Sequence, residues 1–219
     1  MPESNNQSFI IGIIAITVII FAGLVWALVK TSSNSPSVEV KDEQVSFSDD
    51  NDPVVGSTSS TAVVHIYGDF QCPACRIAEP GLRYAMDKYQ DQVRFVWKDF
   101  PLMNLHKNAR GAAEAARCAQ AQGKFWEYHN KLYDTQTDWA QLSDPKQTFL
   151  QYGNDVGLNA ATFDACASAQ AEDSKVSADI SEGNQNHVDA TPTFFINHRR
   201  YFAMTPQEWD AAMQKALSK

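Results

Sequence analysis

A β-branched run, Ala62-Val-Val-His-Ile-Tyr67, leads through Gly68 into Asp69-Phe-Gln-Cys72-Pro-Ala-Cys75. The run reads as a buried strand. Beyond it Cys75, Ala78, Leu82, Ala85, Met86 and Tyr89 recur at helical spacing and predict one apolar helix face. Two cysteines therefore sit where a strand turns into a helix. Pro73 suits the first helical position, where a missing N–H is no loss. Cys72 then lies at the helix N-terminus, with unpaired amides and the positive dipole end aimed at its sulfur. That field favours a thiolate. Cys75 shares the apolar stripe and is expected to be buried, with Cys72 exposed. An exposed nucleophilic thiol beside a sheltered resolving thiol is the minimum for disulfide exchange.

Other readings of the pair are less well supported by the sequence. A Cys-x-x-Cys is half of a zinc site, but the chain has no second Cys-x-x-Cys and no His-x-x-x-His pair. Two inert core cysteines fit poorly, because Cys72 falls off the apolar stripe. The net charge of −8 argues against a nucleic-acid surface. With 44% hydrophobic residues in 219, there is material for one ordinary core plus appendages.

Gly68-Asp-Phe-Gln-Cys-Pro-Ala-Cys75 after a strand resembles the DsbA-like branch of the thioredoxin superfamily. Three further stretches carry the resemblance in the right order: Val93-Arg-Phe-Val-Trp-Lys-Asp-Phe-Pro101, Gly123-Lys-Phe-Trp-Glu-Tyr-His129 and Thr191-Pro-Thr-Phe-Phe-Ile-Asn197. Together they cover about residues 52–219. The resemblance implies an α/β thioredoxin-like fold with an all-helical insertion, and thiol–disulfide oxidoreductase activity. It implies no cofactor. It also implies that Pro192 is a cis-proline facing the cysteines, leaving the backbone of Thr191 free to pair with an extended substrate segment. The bland alternative is a proline that opens an edge strand.

The chain departs from the family pattern in two places. Ala74 stands where DsbA has a histidine that helps hold the thiolate, so Cys72 is expected to be acidic but less extremely so. Ile66 stands where many relatives carry a buried carboxylate, the usual proton acceptor for the buried cysteine. Asp69 is a candidate cap for the turn. His65, His106 and His129 read as structural.

Four parts follow in order along the chain. Residues 1–8 are a short leader. Residues 9–29, from Phe9 to Val29, are almost unbroken apolar sequence, spanning roughly 30 Å as a helix and so enough to cross a bilayer. We expect a transmembrane anchor there. A cleaved signal peptide is the competitor, against which stand the length of the run and a leader without Lys or Arg. Residues 30–51 predict a flexible linker, part of a polar stretch from Thr31 to about Thr61 whose reach as a coil of about thirty residues is roughly 30 Å, with Val38-Glu-Val-Lys as a candidate short strand. Residues 52–219 are the redox domain, with a helical insert over about 104–188. Lys30 pulls weakly against an outward domain under the positive-inside rule. The domain is placed on the extracytoplasmic side of a bacterial membrane because disulfide chemistry needs an oxidising compartment.

Within the domain, Gln92 to Lys98 predicts a second strand. Ala109, Ala112, Ala113, Ala116 and Ala119 predict a small-residue helix face. Phe125, Trp126, His129, Leu132 and Tyr133 predict another helical stripe. Asp144-Pro145 and Asn159-Ala160 read as helix starts. Thr193 to Asn197 and Arg200 to Ala203 predict a hairpin with His198-Arg199 at its turn. Thr205-Pro-Gln-Glu208 is a capping box before a final helix. Cys118 and Cys166 both fall in the helical insert. In an oxidising compartment they invite a structural disulfide, the alternative being two buried free thiols.

The expected function is disulfide formation in reduced, exported proteins through Cys72 and Cys75. The resemblance implies a quinone-linked membrane protein of the DsbB or VKOR type that reoxidises the pair. A reductase or isomerase of the same fold, or a Cu(I)-binding module using both thiolates, are the competing readings.

Overall fold

The computed structural model describes residues 44–218 and six positions before them: 16, 20, 21, 23, 24 and 26. The chain divides into two units, Met1–Val38 and Glu39–Lys219. In the first, the six described positions are helical and exposed. The expected leader, most of the expected membrane segment, the short strand at 38–41 and the linker up to residue 43 lie outside the described residues. Among the described residues no helix is long and apolar enough to cross a membrane.

The second unit is a five-stranded sheet with helices on both faces. In chain order it runs β1 (Val54–Gly56), β2 (Val63–Gly68), α1 (Pro73–Tyr89), β3 (Arg94–Asp99), α2 (Ala109–Gln120), α3 (Phe125–Asp134), α4 (Gln136–Trp139), α5 (Lys146–Asp155), α6 (Ala160–Ala169), α7 (Asp173–Gln185), β4 (Thr193–Ile196), β5 (Arg199–Tyr201) and α8 (Pro206–Leu217). The strand order is β1-β3-β2-β4-β5. β2 and β3 are parallel, Val64 beside Phe95 and Ile66 beside Trp97, joined through α1. The other pairings are antiparallel. The six helices from α2 to α7 all fall between β3 and β4.

Central strands covered on both faces need apolar residues on both. Val64, Ile66, Phe95, Trp97, Phe194 and Ile196 pack in the main core with Leu82, Trp209 and Met213. Tyr67, Phe100, Val188 and Phe195 form a smaller cluster. α1 lies close against the α8 end. A Cβ on Gly81 would come within 2.6 Å of the Met204 carbonyl oxygen, so only glycine fits there. The capping box of α8 forms as expected, Thr205 Oγ1 accepting from the Glu208 amide and Glu208 Oε2 accepting from the Thr205 amide at 2.8 Å. Asn159 caps α6 through Thr162. α5 begins one residue later than expected, with Asp144 Oδ1 accepting from the Lys146 amide. The hairpin turn is Asn197-His198 rather than His198-Arg199, with Asn197 left-handed at φ 44°.

The start of the domain needs correction. We expected linker through residue 51, yet residues 44–51 are tied to the sheet and to α7. Phe47 stacks on His65 with ring centroids 3.7 Å apart, and Val45 packs on the smaller cluster. Asn186 clamps Ser46 through both its amide hydrogen and carbonyl oxygen. Asp49 binds His65 Nε2 at 2.9 Å and also pairs with Arg94. Polar composition suggested a tether, but Val45 and Phe47 sit at a two-residue spacing, so one side of this extended strap is apolar.

Candidate active site

The cysteine turn is built as the sequence implies. Cys72 is the N-cap of α1 and Pro73 opens its first turn. Asp69 is buried and organises the approach. Its Oδ1 accepts from the Gln71 amide at 2.7 Å, and its Oδ2 accepts from the Leu102 amide at 2.9 Å. His106 Nδ1 lies 2.7 Å from the same oxygen. The helical insert reaches back to hold the turn. Gln136 Nε2 donates to the carbonyls of Phe70 and Cys72 at 2.8 and 2.9 Å. Tyr133 donates to the Asp69 carbonyl at 3.2 Å. Gln71 bridges to Ala140 and to the Asn108 amide. None of Gln71, Asn108 or Gln136 stood out in the sequence, because a polar side chain gives no local sign of which distant backbone group it will meet.

Cys72 and Cys75 are both free thiols. Cys72 was expected to be exposed, yet it is only 6% exposed against 3% for Cys75. The segment before β4 explains this. Thr191–Pro192 is a cis peptide, and the Thr191 carbonyl accepts from the Cys72 thiol at 3.4 Å. Pro73 and Ala74 form the exposed surface of the turn. The structure thus brings Cys72, Cys75, Thr191 and Pro192 together.

The two thiols are unlike despite similar burial. Cys72 is pulled down to about 5, first by the Cys75 thiol and then by the Thr191 side chain and the amides of Cys75 and Ala74, against the opposing effect of burial. The helix-terminal amides therefore contribute as argued, but the Cys75 thiol is the larger influence. Burial pushes the Cys75 thiol up, and the neighbouring Cys72 pushes it further. At neutral pH the pair is one thiolate and one thiol.

Cys118 and Cys166 lie elsewhere, joining α2 to α6 through a disulfide with S–S 2.00 Å. Two buried groups behind the site were not anticipated as part of it. Glu79 belongs to α1 one turn after Cys75, and His129 belongs to α3. Arg83 Nε donates to Glu79 Oε2 at 3.1 Å, and His129 Nε2 is 3.6 Å from Glu79 Oε1. The signal for Glu79 was present: it is a charged residue one turn along the predicted apolar stripe from Cys75. Ile66 is buried and apolar, as read.

The family model described as Thioredoxin matches residues 48–215. Among solved structures, oxidised BdbD from Bacillus subtilis superposes with a TM-score of 0.70 at 23% identity, covering 82% of this chain and 100% of that one. α-DsbA1 from Wolbachia pipientis superposes with a TM-score of 0.69 at 18% identity, covering 80% and 94%. These likenesses are of fold. Among curated proteins, a Na(+)/H(+) antiporter NhaA 3 of Salinispora tropica is 35% identical over 160 residues, 73% of this chain and 24% of that protein. A Na(+)/H(+) antiporter NhaA 1 of Mycolicibacterium gilvum is 30% identical over 217 residues, 96% of this chain and 33% of that protein. The chain spans about a quarter to a third of the length of these relatives.

Proposed function

The chain belongs to the thioredoxin family, and on that premise we propose that it is a thiol–disulfide oxidoreductase that donates disulfides to reduced, exported proteins. The observation that carries this reading is the placement of the two thiols, Cys72 at the N-cap of α1 against the Thr191 carbonyl and Cys75 buried in the first turn, which draws the first down to about 5 and pushes the second up. A stabilised Cys72 thiolate favours the dithiol form over the disulfide. That makes the disulfide a good oxidant and Cys72 a good leaving group.

The reaction needs only sulfur chemistry. A substrate thiolate attacks Cys72 of the Cys72–Cys75 disulfide, and Cys75 departs with the bonding electron pair and takes up a proton. A second substrate thiolate then attacks the substrate sulfur of the mixed disulfide and expels Cys72 as thiolate. The substrate gains a disulfide and the enzyme holds the two electrons. In our reading the substrate backbone docks as an extended segment beside Thr191 and Pro192. Ile77, and Met103 and Leu105 in the loop that Asp69 anchors, are exposed apolar side chains. They suit the apolar stretches of an unfolded chain.

The same proposal takes residues 9–29 as a membrane anchor and the segment after it as the tether. It sets the redox domain on the extracytoplasmic side, near a membrane protein that reoxidises the pair. Its support is the apolar run itself and the higher effective concentration that tethering brings.

The test is the reduction potential of Cys72–Cys75 in the full chain, equilibrated against glutathione. A disulfide donor lies well above thioredoxin's roughly −270 mV, toward DsbA's roughly −120 mV. A value at or below thioredoxin's would overturn donation and leave a reductase.

A further inference from the structure

The face of β2 behind Cys75 carries only apolar side chains, Val64 and Ile66. A buried thiol that must lose and regain a proton in each cycle needs a group to exchange it with, because a bare thiolate in apolar surroundings is strongly disfavoured. A cavity of about 10 Å³ lies behind the thiol, on the scale of one water molecule. Its walls include Ile66, Trp97 and Pro192 together with three groups that carry protons, Cys75, Glu79 and Tyr133, and the Tyr133 hydroxyl is committed to the Asp69 carbonyl. Cys75 and Glu79 are one helical turn apart. Side chains on a helix lean toward its N-terminus, so Glu79 covers the turn that bears Cys75.

Glu79 is met from several elements. On its own helix Arg83 holds Oε2 at 3.1 Å, and the same guanidinium holds Asp134 at 2.8 Å. From α3 come His129 Nε2 at 3.6 Å and Tyr133, whose hydroxyl is already given to the Asp69 carbonyl. β3 and β4 present the uncharged Trp97 and Phe194. His129 Nε2 is buried without a hydrogen-bond partner, and its Nδ1 lies 3.2 Å from Asn130 Oδ1. Burial holds His129 neutral, down to about 3, so it does not compete for the proton. Burial pushes Glu79 up to about 7, which Arg83 only partly offsets.

We propose that Glu79 is the group that exchanges the Cys75 proton across this cavity. The proposal rests on the thiol–disulfide reading above. When substrate thiolate opens the Cys72–Cys75 disulfide, the Glu79 carboxyl gives its proton to the departing Cys75 thiolate and becomes a carboxylate. When the reduced pair is reoxidised, Cys72 forms a mixed disulfide with its oxidant. The Glu79 carboxylate then takes the Cys75 proton, and the Cys75 thiolate attacks Cys72. The Cys72–Cys75 bond forms, the intermolecular S–S bond breaks, and the oxidant leaves as a thiolate carrying the electron pair.

The test uses the reduced full chain and a chromogenic aromatic disulfide, followed by stopped flow from about pH 5 to about pH 9. Attack by Cys72 releases the first equivalent of chromophore. Resolution by Cys75 releases the second. In the unmutated chain the second phase rises with pH through the Glu79 value near 7. Glu79→Gln is expected to slow the second phase at least about tenfold at neutral pH and to remove that inflection, with the first phase changed by less than about twofold. Glu79→Asp keeps a carboxylate for Arg83 and reads the same step if the amide unfolds the chain. Its shorter reach is expected to slow the second phase while an inflection remains. A normal first phase followed by a second phase indifferent to both substitutions, in rate and pH profile, overturns the role of Glu79 alone. An unmutated chain that gives no first phase overturns the redox reading, and the relay with it.

Discussion

At Cys72 the fold converts an ordinary thiol into an acid of about 5, and the direction of that shift fixes how the reduced protein responds to pH. The folded value lies below the unfolded one, so the ionised thiol stabilises the fold in full above the unfolded value near 9. That contribution is lost as pH falls through the folded value near 5. Between these limits the reduced chain is expected to outgain a Cys72→Ser variant by about 1.4 kcal/mol per pH unit, read by denaturant unfolding under reducing conditions. A stability difference that stays flat from pH 5 to pH 9 would contradict a stabilised thiolate. His129 shows the opposite use of burial. There the fold excludes charge, and it packs the ring edge-on against Trp97 with centroids 4.8 Å apart.

Among the elements, α2 is the least like what its pattern suggests. Its alanines pack as a small-residue face, but the same helix also buries Arg117 completely. Arg117 Nε donates to Asp99 at 2.5 Å, Nη2 reaches Asp52 at 3.0 Å, and the guanidinium also pairs with Asp179 of α7. Lys98 of β3 joins through Asp52 at 2.5 Å and Glu182 at 3.1 Å. One cluster of charges thus pins β3, α2, α7 and the strap before β1 together. Such a cluster is weak evidence for stability when complete, but it is strongly destabilising when one member is removed. Arg117→Met is expected to lose about 3–5 kcal/mol in chemical unfolding, because it leaves buried carboxylates without their cation. A loss under about 1 kcal/mol would mean that water or Lys98 neutralises them.

Across the whole domain, the Cys118–Cys166 disulfide closes 48 residues of the helical insert and lies apart from Cys72 and Cys75. Replacing both by alanine is expected to remove about 4 kcal/mol of stability in the chain-entropy picture, while the potential of Cys72–Cys75 stays unchanged. A shift in that potential would show the two sulfur pairs to be coupled. The cysteine turn, the strands on either side of α1, the capping box of α8 and the run of helices after β3 were all legible in the sequence. Each is written in residues close along the chain: an apolar period, a proline at a first turn, a Thr-Pro-Gln-Glu. The strap at residues 44–51 was misread because a few apolar residues among serines and aspartates carry little periodic signal. The shelter over Cys72 and the ties from Gln71, Asn108 and Gln136 could not be read at all. They depend on segments more than thirty residues apart meeting at single atoms. The sequence by itself determined which thiol starts the helix and which lies on its apolar face. Only the tertiary structure decided that both would be buried, that Glu79 would line the space behind Cys75, and that His129 would lie against Glu79. A side chain's protonation follows from the dielectric and the partners that distant elements bring to it, and local sequence carries neither.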